Sequence, residues 1–434
     1  GDIIYGGAAD DTMYGDAGND VIFAGIGSDT ADGGDDGDKF NIDFLGEKND
    51  AVTSIVDSGR TMPASSLVQE DFVEVFTTNS DDQVLIRATV NSNNGFIALL
   101  NEAEAVERVN YVGATGAQPG IESFAVNTLF GDDFVALDDT RAVGTINLGL
   151  GDDFVQIGQL FRSSRDMAFA NVATADKPEV IETTRGYLTN GVSFDLTVNG
   201  GLGNDEFVVY HNESSLILNG NAGDDLFLIK AFALAGSKDP EQSRMDLTGG
   251  GGGDTIQYVV NAPVFINGGD GFDRIIIIGT EFKDDFVITK DGVFGAGLNV
   301  NYINLEGLVV DGAEGDDRFF VQSTDPAVLT ELVGGLGSDS FSVGGDTPAV
   351  VSNDLKGHSG LIVHGIENAS PEYGIDLPIV GISANIGDND APGIVVTPSS
   401  EDLKVFEGGA STTYTIVLTR EPTAAVQVMV LGPK

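Results

Sequence analysis

Five aspartates recur at a constant spacing of nine at the start of the chain: Asp2, Asp11, Asp20, Asp29 and Asp38. Two residues after each comes an apolar or small one: Ile4, Met13, Ile22, Ala31 and Phe40. Glycines fill the intervening turns, as in Gly6-Gly7-Ala8-Ala9-Asp10-Asp11-Thr12-Met13-Tyr14 and Gly15-Asp16-Ala17-Gly18-Asn19-Asp20-Val21-Ile22-Phe23. A flexible Gly/Asp linker would not hold apolar residues in phase. The pattern instead predicts a six-residue turn followed by a three-residue strand, repeated. Glycine allows positive φ and close backbone approach. Aspartate supplies the hard anionic oxygen that Ca²⁺ prefers.

The G-G-x-G-x-D-x-U-x spacing resembles the calcium-binding nonapeptide repeat of RTX proteins. That resemblance implies a right-handed parallel β-roll in which two units make one coil. It also implies Ca²⁺ ions between stacked turns, pairing Asp2 with Asp20, Asp20 with Asp38, and Asp11 with Asp29. Backbone oxygens of the turn glycines Gly6, Gly15, Gly18, Gly27 and Gly33 would complete the set.

A diluted form of the signal continues. Glycine-rich turns end at Asp133, Asp153, Asp205, Asp225, Asp254, Asp273, Asp317 and Asp339. Examples are Gly200-Gly201-Leu202-Gly203-Asn204-Asp205 and Gly334-Gly335-Leu336-Gly337-Ser338-Asp339. Spacings near twenty predict one such turn per coil, with the opposite turn free to vary. Short apolar runs flank each turn, among them Leu216-Ile217-Leu218, Leu226-Phe227-Leu228-Ile229 and Val264-Phe265-Ile266. Runs of this length at a regular period predict a stacked parallel solenoid. The eight aspartates are therefore candidate metal ligands as well.

A longer repeat is also readable. Asp71-Phe72-Val73 matches Asp285-Phe286-Val287, and Val109-Asn110-Tyr111 matches Val300-Asn301-Tyr302. Glu122 lies eleven residues before Asp133, as Glu306 lies before Asp317. Residues 77–105 and 158–192 lack the glycine–aspartate signal and are expected to protrude as loops, since surface loops tolerate insertion. Residues 101–109 are expected as a short helix.

The character changes near residue 370. The segment 371–390 reads as a polar linker, and 391–434 as alternating strands. Val405-Phe406-Glu407-Gly408-Gly409 and Tyr414-Thr415-Ile416-Val417-Leu418-Thr419 resemble the opening of a Calx-β domain. The resemblance implies acidic metal positions at Asp388, Asp390 and Glu407. It covers only part of a sandwich of that kind. The expected organisation is thus a β-roll over 1–41, a degenerate solenoid over 42–370, a linker over 371–390 and a partial sandwich over 391–434: an all-β chain.

Composition bounds the function. The chain carries 68 acidic and 21 basic residues, a net charge of −47. So acidic a surface repels nucleic acid and anionic membranes. With 41% hydrophobic residues the chain can build a core, so the charge is expected to be neutralised by cations rather than to enforce disorder. There is no cysteine, hence neither disulfide nor thiolate site. The longest apolar runs are strand-length and too short for a helical membrane span.

No catalytic set is apparent. His211, His358 and His364 have no shared ligand spacing. The doublets Asp132-Asp133, Asp152-Asp153, Asp224-Asp225 and Asp316-Asp317 could suggest a glycosidase pair. Their recurrence argues for a structural role, and neighbours in a tight turn point apart. The expectation is a non-enzymatic, calcium-stabilised structural or adhesive segment of a large secreted or cell-surface bacterial protein, exported unfolded. Its partners would be calcium ions, other copies or neighbouring domains, or a surface glycan or protein receptor. The alternatives are the calcium-folding secretion module of an exoenzyme or toxin, and a carbohydrate- or protein-binding solenoid using loop aromatics such as Phe96, Phe161, Phe169 and Tyr187. A repeated Thr-x-Thr face, which an ice-binding solenoid needs, is absent from the sequence.

Overall fold

The structure is a computed structural model. It describes residues 1–46, 51–59, 70–90, 92–101, 106–115, 119–162, 172–183, 186–230, 245–259, 264–295 and 298–344, together with the strand backbones 356–362, 382–388, 394–398 and 414–418.

Three-residue strands form where the nonapeptide predicts them, at Ile3–Tyr5, Thr12–Tyr14, Val21–Phe23 and Thr30–Asp32. Pairing is parallel with an offset of eighteen residues: Ile3 stands beside Val21, and Thr12 beside Thr30. Two units therefore make one coil, and alternate strands belong to opposite sheets. The front sheet has 15 strands and the back sheet 14. Both run without a break from the first coil to the strands Leu329–Val333 and Ser340–Val343.

Alternation places one row of side chains between the sheets. Met13, Ile22, Ala31 and Phe40 open a core that continues through Ile146, Val198, Leu218 and Ile266 to Phe319. Aromatics stack coil on coil within it: the rings of Phe207 and Phe227 lie 4.7 Å apart at 6°, and those of Phe286 and Phe319 5.1 Å apart. A fully buried large apolar side chain is worth about 1.5–3 kcal/mol. The core is only one layer thick, so each coil relies on its neighbours.

Two meanders interrupt the parallel coil. Gln83–Ala88, Asn94–Leu99 and Glu107–Val112 pair antiparallel with one another within the back sheet. Their outer members pair parallel with Phe134–Leu137 and Val52–Val56. Asp285–Thr289, Gly292–Gly295 and Leu298–Ile303 do the same within the front sheet, between Arg318–Val321 and Val264–Gly271. Much of 77–105 is thus sheet rather than protruding loop. The helix expected over 101–109 is corrected at its end: Glu107, Val109 and Tyr111 face inward at period two, and that alternation makes a strand, while 102–105 lie outside the described residues. No α-helix occurs among the described residues, and none is long and apolar enough to cross a membrane.

The 158–192 insertion leaves the coil after Phe154–Ile157 and forms a small hairpin, Val180–Thr183 with Gly186–Thr189. A buried polar knot holds it. Asp138, 0% exposed, pairs with Arg87 at 2.6 Å and accepts the Phe161 N–H at 2.9 Å. Asp139 pairs with Arg141 at 2.7 Å and accepts the Ser193 hydroxyl at 2.7 Å. Beyond residue 344, Lys356–Ile362 pairs antiparallel with Ile382–Asp388, and Ile394–Pro398 with Tyr414–Leu418. The segment 371–390 therefore includes a strand.

Candidate metal centres

The coil has two edges: turns at the front edge lead into the front sheet, and turns at the rear edge into the back sheet. In the nonapeptide block, Oδ1 of each aspartate accepts the backbone N–H of the aspartate one coil earlier. Asp20 does so from Asp2, Asp38 from Asp20 at 2.8 Å, and Asp29 from Asp11 at 2.9 Å. These are the three pairs drawn from the sequence. They are joined by direct hydrogen bonds.

The same bond recurs beyond the nonapeptides. On the front edge the row continues from Asp38 to Asp71 and ends at Glu122, each at 2.8 Å. On the rear edge, after the nonapeptide pair Asp11–Asp29, it starts again at Asp82 and runs through Asp133, Asp153, Asp205, Asp225, Asp254 and Asp273 to Glu306, at 2.8–2.9 Å. It then reappears on the front edge from Asp284 through Asp317 to Asp339, at 2.7 and 3.0 Å. The eight later aspartates therefore lie on two edges. Both rows that leave one edge for the other end in a glutamate and hand over across a meander.

The second carboxylate oxygen defines the chemistry. Oδ2 of Asp11, Asp20, Asp29, Asp38, Asp133, Asp153, Asp205, Asp225, Asp254, Asp273 and Asp317 is buried and has no hydrogen-bond partner. In most of these turns it lies over a glycine five residues earlier. A Cβ on Gly200 would stand 2.1 Å from Oδ2 of Asp205 and 2.5 Å from the carbonyl oxygen of Gly220, one coil on. Gly15, Gly33, Gly220, Gly249 and Gly312 face their own aspartates in the same way. Glycine here is required by space. At Gly203, φ is +132° and a Cβ would meet the Gly151 carbonyl at 1.8 Å, so both conformation and space require it.

Burial pushes nine of these carboxyls up, from Asp29 and Asp38 through to Asp317, opposed by hydrogen bonds and reinforced by neighbouring carboxylates. Asp38, Asp153 and Asp254 are raised to about 6, and Asp133 and Asp205 to about 7. Asp71, beside Asp57, Glu122 and Asp38, is raised to about 8, chiefly by burial. Asp29, Asp225, Asp273 and Asp317 move in the same direction for the same first cause. An ionised carboxylate so enclosed needs a cation, or it takes up a proton.

The donor set fits a hard cation. It offers one anionic oxygen per coil with a carbonyl oxygen of the next coil close by, and neither thiolate nor imidazole. Among the described residues no three His, Asp or Glu side chains converge on one point. The rest of a coordination shell would therefore come from backbone carbonyls, as oxygen-seeking Ca²⁺ accepts. Of the candidate glycines, Gly15 and Gly33 lie against Asp20 and Asp38, while Gly6 packs on the Ala24 carbonyl. Gly18 and Gly27 adopt φ of +101° and +137°. Asp2 and Asp339 stand at the ends of rows. Asp388 closes the strand Ile382–Asp388; Asp390 and Glu407 lie outside the described residues.

Several members were missed from sequence. Asp71 and Asp82 follow no glycine–aspartate turn, and Asp284 follows a single glycine, Gly279, five residues earlier. Their signal is a separation of eleven: Asp71 to Asp82 and Asp273 to Asp284, echoing Glu122 to Asp133 and Glu306 to Asp317. The structural counterpart of Asp71 is thus Asp273, and Asp285 lies one residue beyond the counterpart of Asp82. An asparagine ladder on the front sheet, Asn127, Asn147, Asn199 and Asn219 at 2.8–2.9 Å, was also missed. Of the loop aromatics, Phe96 and Phe161 are buried in a small cluster with Leu85 and Ala136, and Phe169 lies outside the described residues. His211 is buried, with Nδ1 2.6 Å from the Thr189 carbonyl.

Comparison with known families agrees with the first block. Residues 1–40 match the RTX calcium-binding nonapeptide repeat in four copies. The chain is therefore a calcium-binding repeat protein with a β-roll at its start. No curated protein and no solved structure matches it.

Proposed function

We propose that the chain is a stiff, calcium-locked segment of a large secreted or cell-surface bacterial protein, such as an adhesin, a surface-layer component or an extracellular filament subunit. One observation carries this reading: both sheets continue from the nonapeptide block through to Val333 and Val343 without a break, over a core that runs to Val321. At about 4.8 Å per strand, a 15-stranded sheet extends roughly 70 Å. A short secretion module would need the nonapeptides alone.

The buried carboxylates supply the switch. At cytosolic calcium their mutual repulsion and desolvation oppose closure of the coil. At extracellular calcium, ions held by the folded form and not by the unfolded chain stabilise it by mass action. Such coupling suits export of an unfolded chain, and RTX repeat proteins are typically exported. Residues 391–434 are read as the opening of a Calx-β-like sandwich that continues the extracellular array. The reading includes no catalysis: the recurrent acid doublets serve the stack.

The test is circular dichroism, thermal melting and small-angle scattering in EGTA and in 5 mM Ca²⁺. The reading expects a large gain of β signal and melting temperature with calcium, and an elongated particle. An unchanged spectrum and melt, or a compact globular particle in calcium, would sink it.

A further inference from the structure

We infer that, beyond the nonapeptide block, the cation sites form separate rows on alternating edges, and that the two meanders between them are cation-free joints. This rests on the calcium reading above and goes further, because it says which buried acids take no ion and which part of the chain holds without calcium.

The contrast lies in the second carboxylate oxygen. Along the rows, eleven Oδ2 atoms are buried and unpartnered, on aspartates such as Asp205 and Asp273 that are 2% and 0% exposed. Seven of them, from Asp133 to Asp317, lie beyond the nonapeptide match. At the joints the same oxygen is satisfied by protein donors. Oδ2 of Asp82 accepts the Thr78 N–H at 2.8 Å, while its Oδ1 accepts the Thr78 hydroxyl at 2.8 Å and the Asn101 amide. Oδ2 of Asp284 accepts the Thr280 N–H at 2.6 Å and the Thr280 hydroxyl at 3.0 Å. In both turns the threonine hydroxyl also accepts the N–H two residues on, from Ser80 and Phe282. One Thr-x-x-x-Asp turn is thus used twice; at the second, Gly279 still lies against Oδ2 of Asp284, and the threonine adds the donors that the rows lack. A carboxylate with this many donors needs no metal.

The surroundings of both joints agree. Each is an antiparallel meander whose strands contact their sequence neighbours, so ordering it closes short loops only. Each is tied to the parallel strand beside it by an ion pair: Arg87 with buried Asp138 at the first, and Asp285 with Arg318 through two guanidinium nitrogens at the second. The glycine-turn rows carry ion pairs of their own, Lys39 with Glu74 and Arg274 with Glu331, but no antiparallel meander. Their coils close over eighteen residues or more, against buried like charges.

Hydrogen–deuterium exchange on the full chain at pH 7.5 tests this. In calcium, strands of rows and joints should both be protected. In EGTA, peptides spanning 12–41 and 205–229 should lose protection by about a hundredfold or more, while 83–99 and 285–295 keep theirs to within about tenfold. Joints that exchange as fast as the rows in EGTA would overturn the inference, as would rows that stay protected there. If no peptide anywhere responds to calcium, the calcium reading itself has failed. If rows and joints both lose protection in EGTA and regain it in calcium, the calcium reading stands and only the joints are wrong. The variant pair Thr78→Val and Thr280→Val removes one hydroxyl donor from each joint. It should raise joint exchange in EGTA at least about tenfold and leave row protection in calcium unchanged. Unaltered joint exchange in both variants would also overturn the inference.

Discussion

Asp132 and Asp133 are adjacent in sequence and lock the coil in opposite directions. Oδ1 of Asp133 accepts the N–H of Asp82, one coil behind, at 2.8 Å. Oδ1 of Asp132 accepts the N–H of Asp152, one coil ahead, at 2.9 Å. The outer row repeats through Asp152 to Asn204 and through Asn204 to Asp224. The doublet is therefore a two-way clamp. Its outer acid is solvated, and its inner acid is buried beneath the turn. Of the two, only the inner row carries buried unpartnered oxygens, so the two rows should respond differently to pH and calcium.

The inner row makes the calcium-free protein acid-loving. The folded-state carboxyls of Asp133, Asp153, Asp205 and Asp254 lie at about 6–7, above the ordinary value of about 3.9 in an unfolded chain. A raised folded value contributes stability that is complete below the unfolded value and is lost as pH rises through the folded one. In EGTA the melting temperature should therefore fall between pH 5 and pH 8. A two-unit shift corresponds to a loss on the order of 2–3 kcal/mol for each such group. Saturating calcium should flatten the curve. A melting temperature in EGTA that climbs across that interval would contradict the assignment.

Asp205→Asn should change the sign of the calcium response at one coil. The amide oxygen keeps the acceptor for the Asp153 N–H. Its NH₂ takes the place of the unpartnered oxygen, near the Gly220 carbonyl. In EGTA at pH 8 the variant should be more stable than the parent by roughly 1–3 kcal/mol, the cost of an unsatisfied buried group. In calcium it should be less stable and bind fewer ions. Denaturation in urea under both conditions, with calcium counted by equilibrium dialysis, reads both effects. A variant destabilised equally in EGTA and calcium would show that Asp205 is not a cation site.

Glycine substitution separates space from composition. Gly200→Ala places a methyl 2.1 Å from Asp205 Oδ2, and should cost about 3 kcal/mol or more and weaken calcium binding. Gly251→Ala is the control: its new Cβ would have only the Asn221 carbonyl within reach, at 3.9 Å, and it needs no positive φ. It should stay within about 0.5 kcal/mol. Equal losses in the two variants would refute the close approach at Gly200.

How far the fold could be read from sequence follows from the same contacts. The nonapeptide block was legible to the register, because turn and strand lengths are fixed by one repeating unit and Asp20 must stack on Asp2. The later coils were legible through their glycine turns. The meanders were not, because alternation in Gln83–Ala88 or Asp285–Thr289 specifies a strand and not its partner. Nor was the change of edge, since the edge an acid occupies depends on how many half-coils precede it, and that count is altered by every in-sheet hairpin. Asp82 and Asp284 were missed because no glycine-rich turn precedes them, and a threonine four residues earlier holds the carboxylate instead. Phe96 was taken for a loop residue because nothing in its sequence shows that its strand lies between two others, with the Arg108 guanidinium 3.8 Å from its ring centre.

The buried pair of Arg87 and Asp138 sets the last prediction. Asp138 is raised to about 6, by burial first, even with Arg87 beside it, so the carboxylate depends on that guanidinium and on the Phe161 N–H. Arg87→Met should cost about 3–5 kcal/mol at pH 8, because it strands a buried charge. The loss should shrink toward pH 5, where the unpaired carboxyl protonates. Adding Asp138→Leu should recover much of it, since a buried pair replaced by apolar groups is often neutral. No calcium concentration should rescue the single variant, because the pair satisfies itself without metal. Rescue by calcium would mean that Asp138 belongs to the cation rows, and that the 158–192 insertion, whose Phe161 N–H it accepts, is anchored by metal as well.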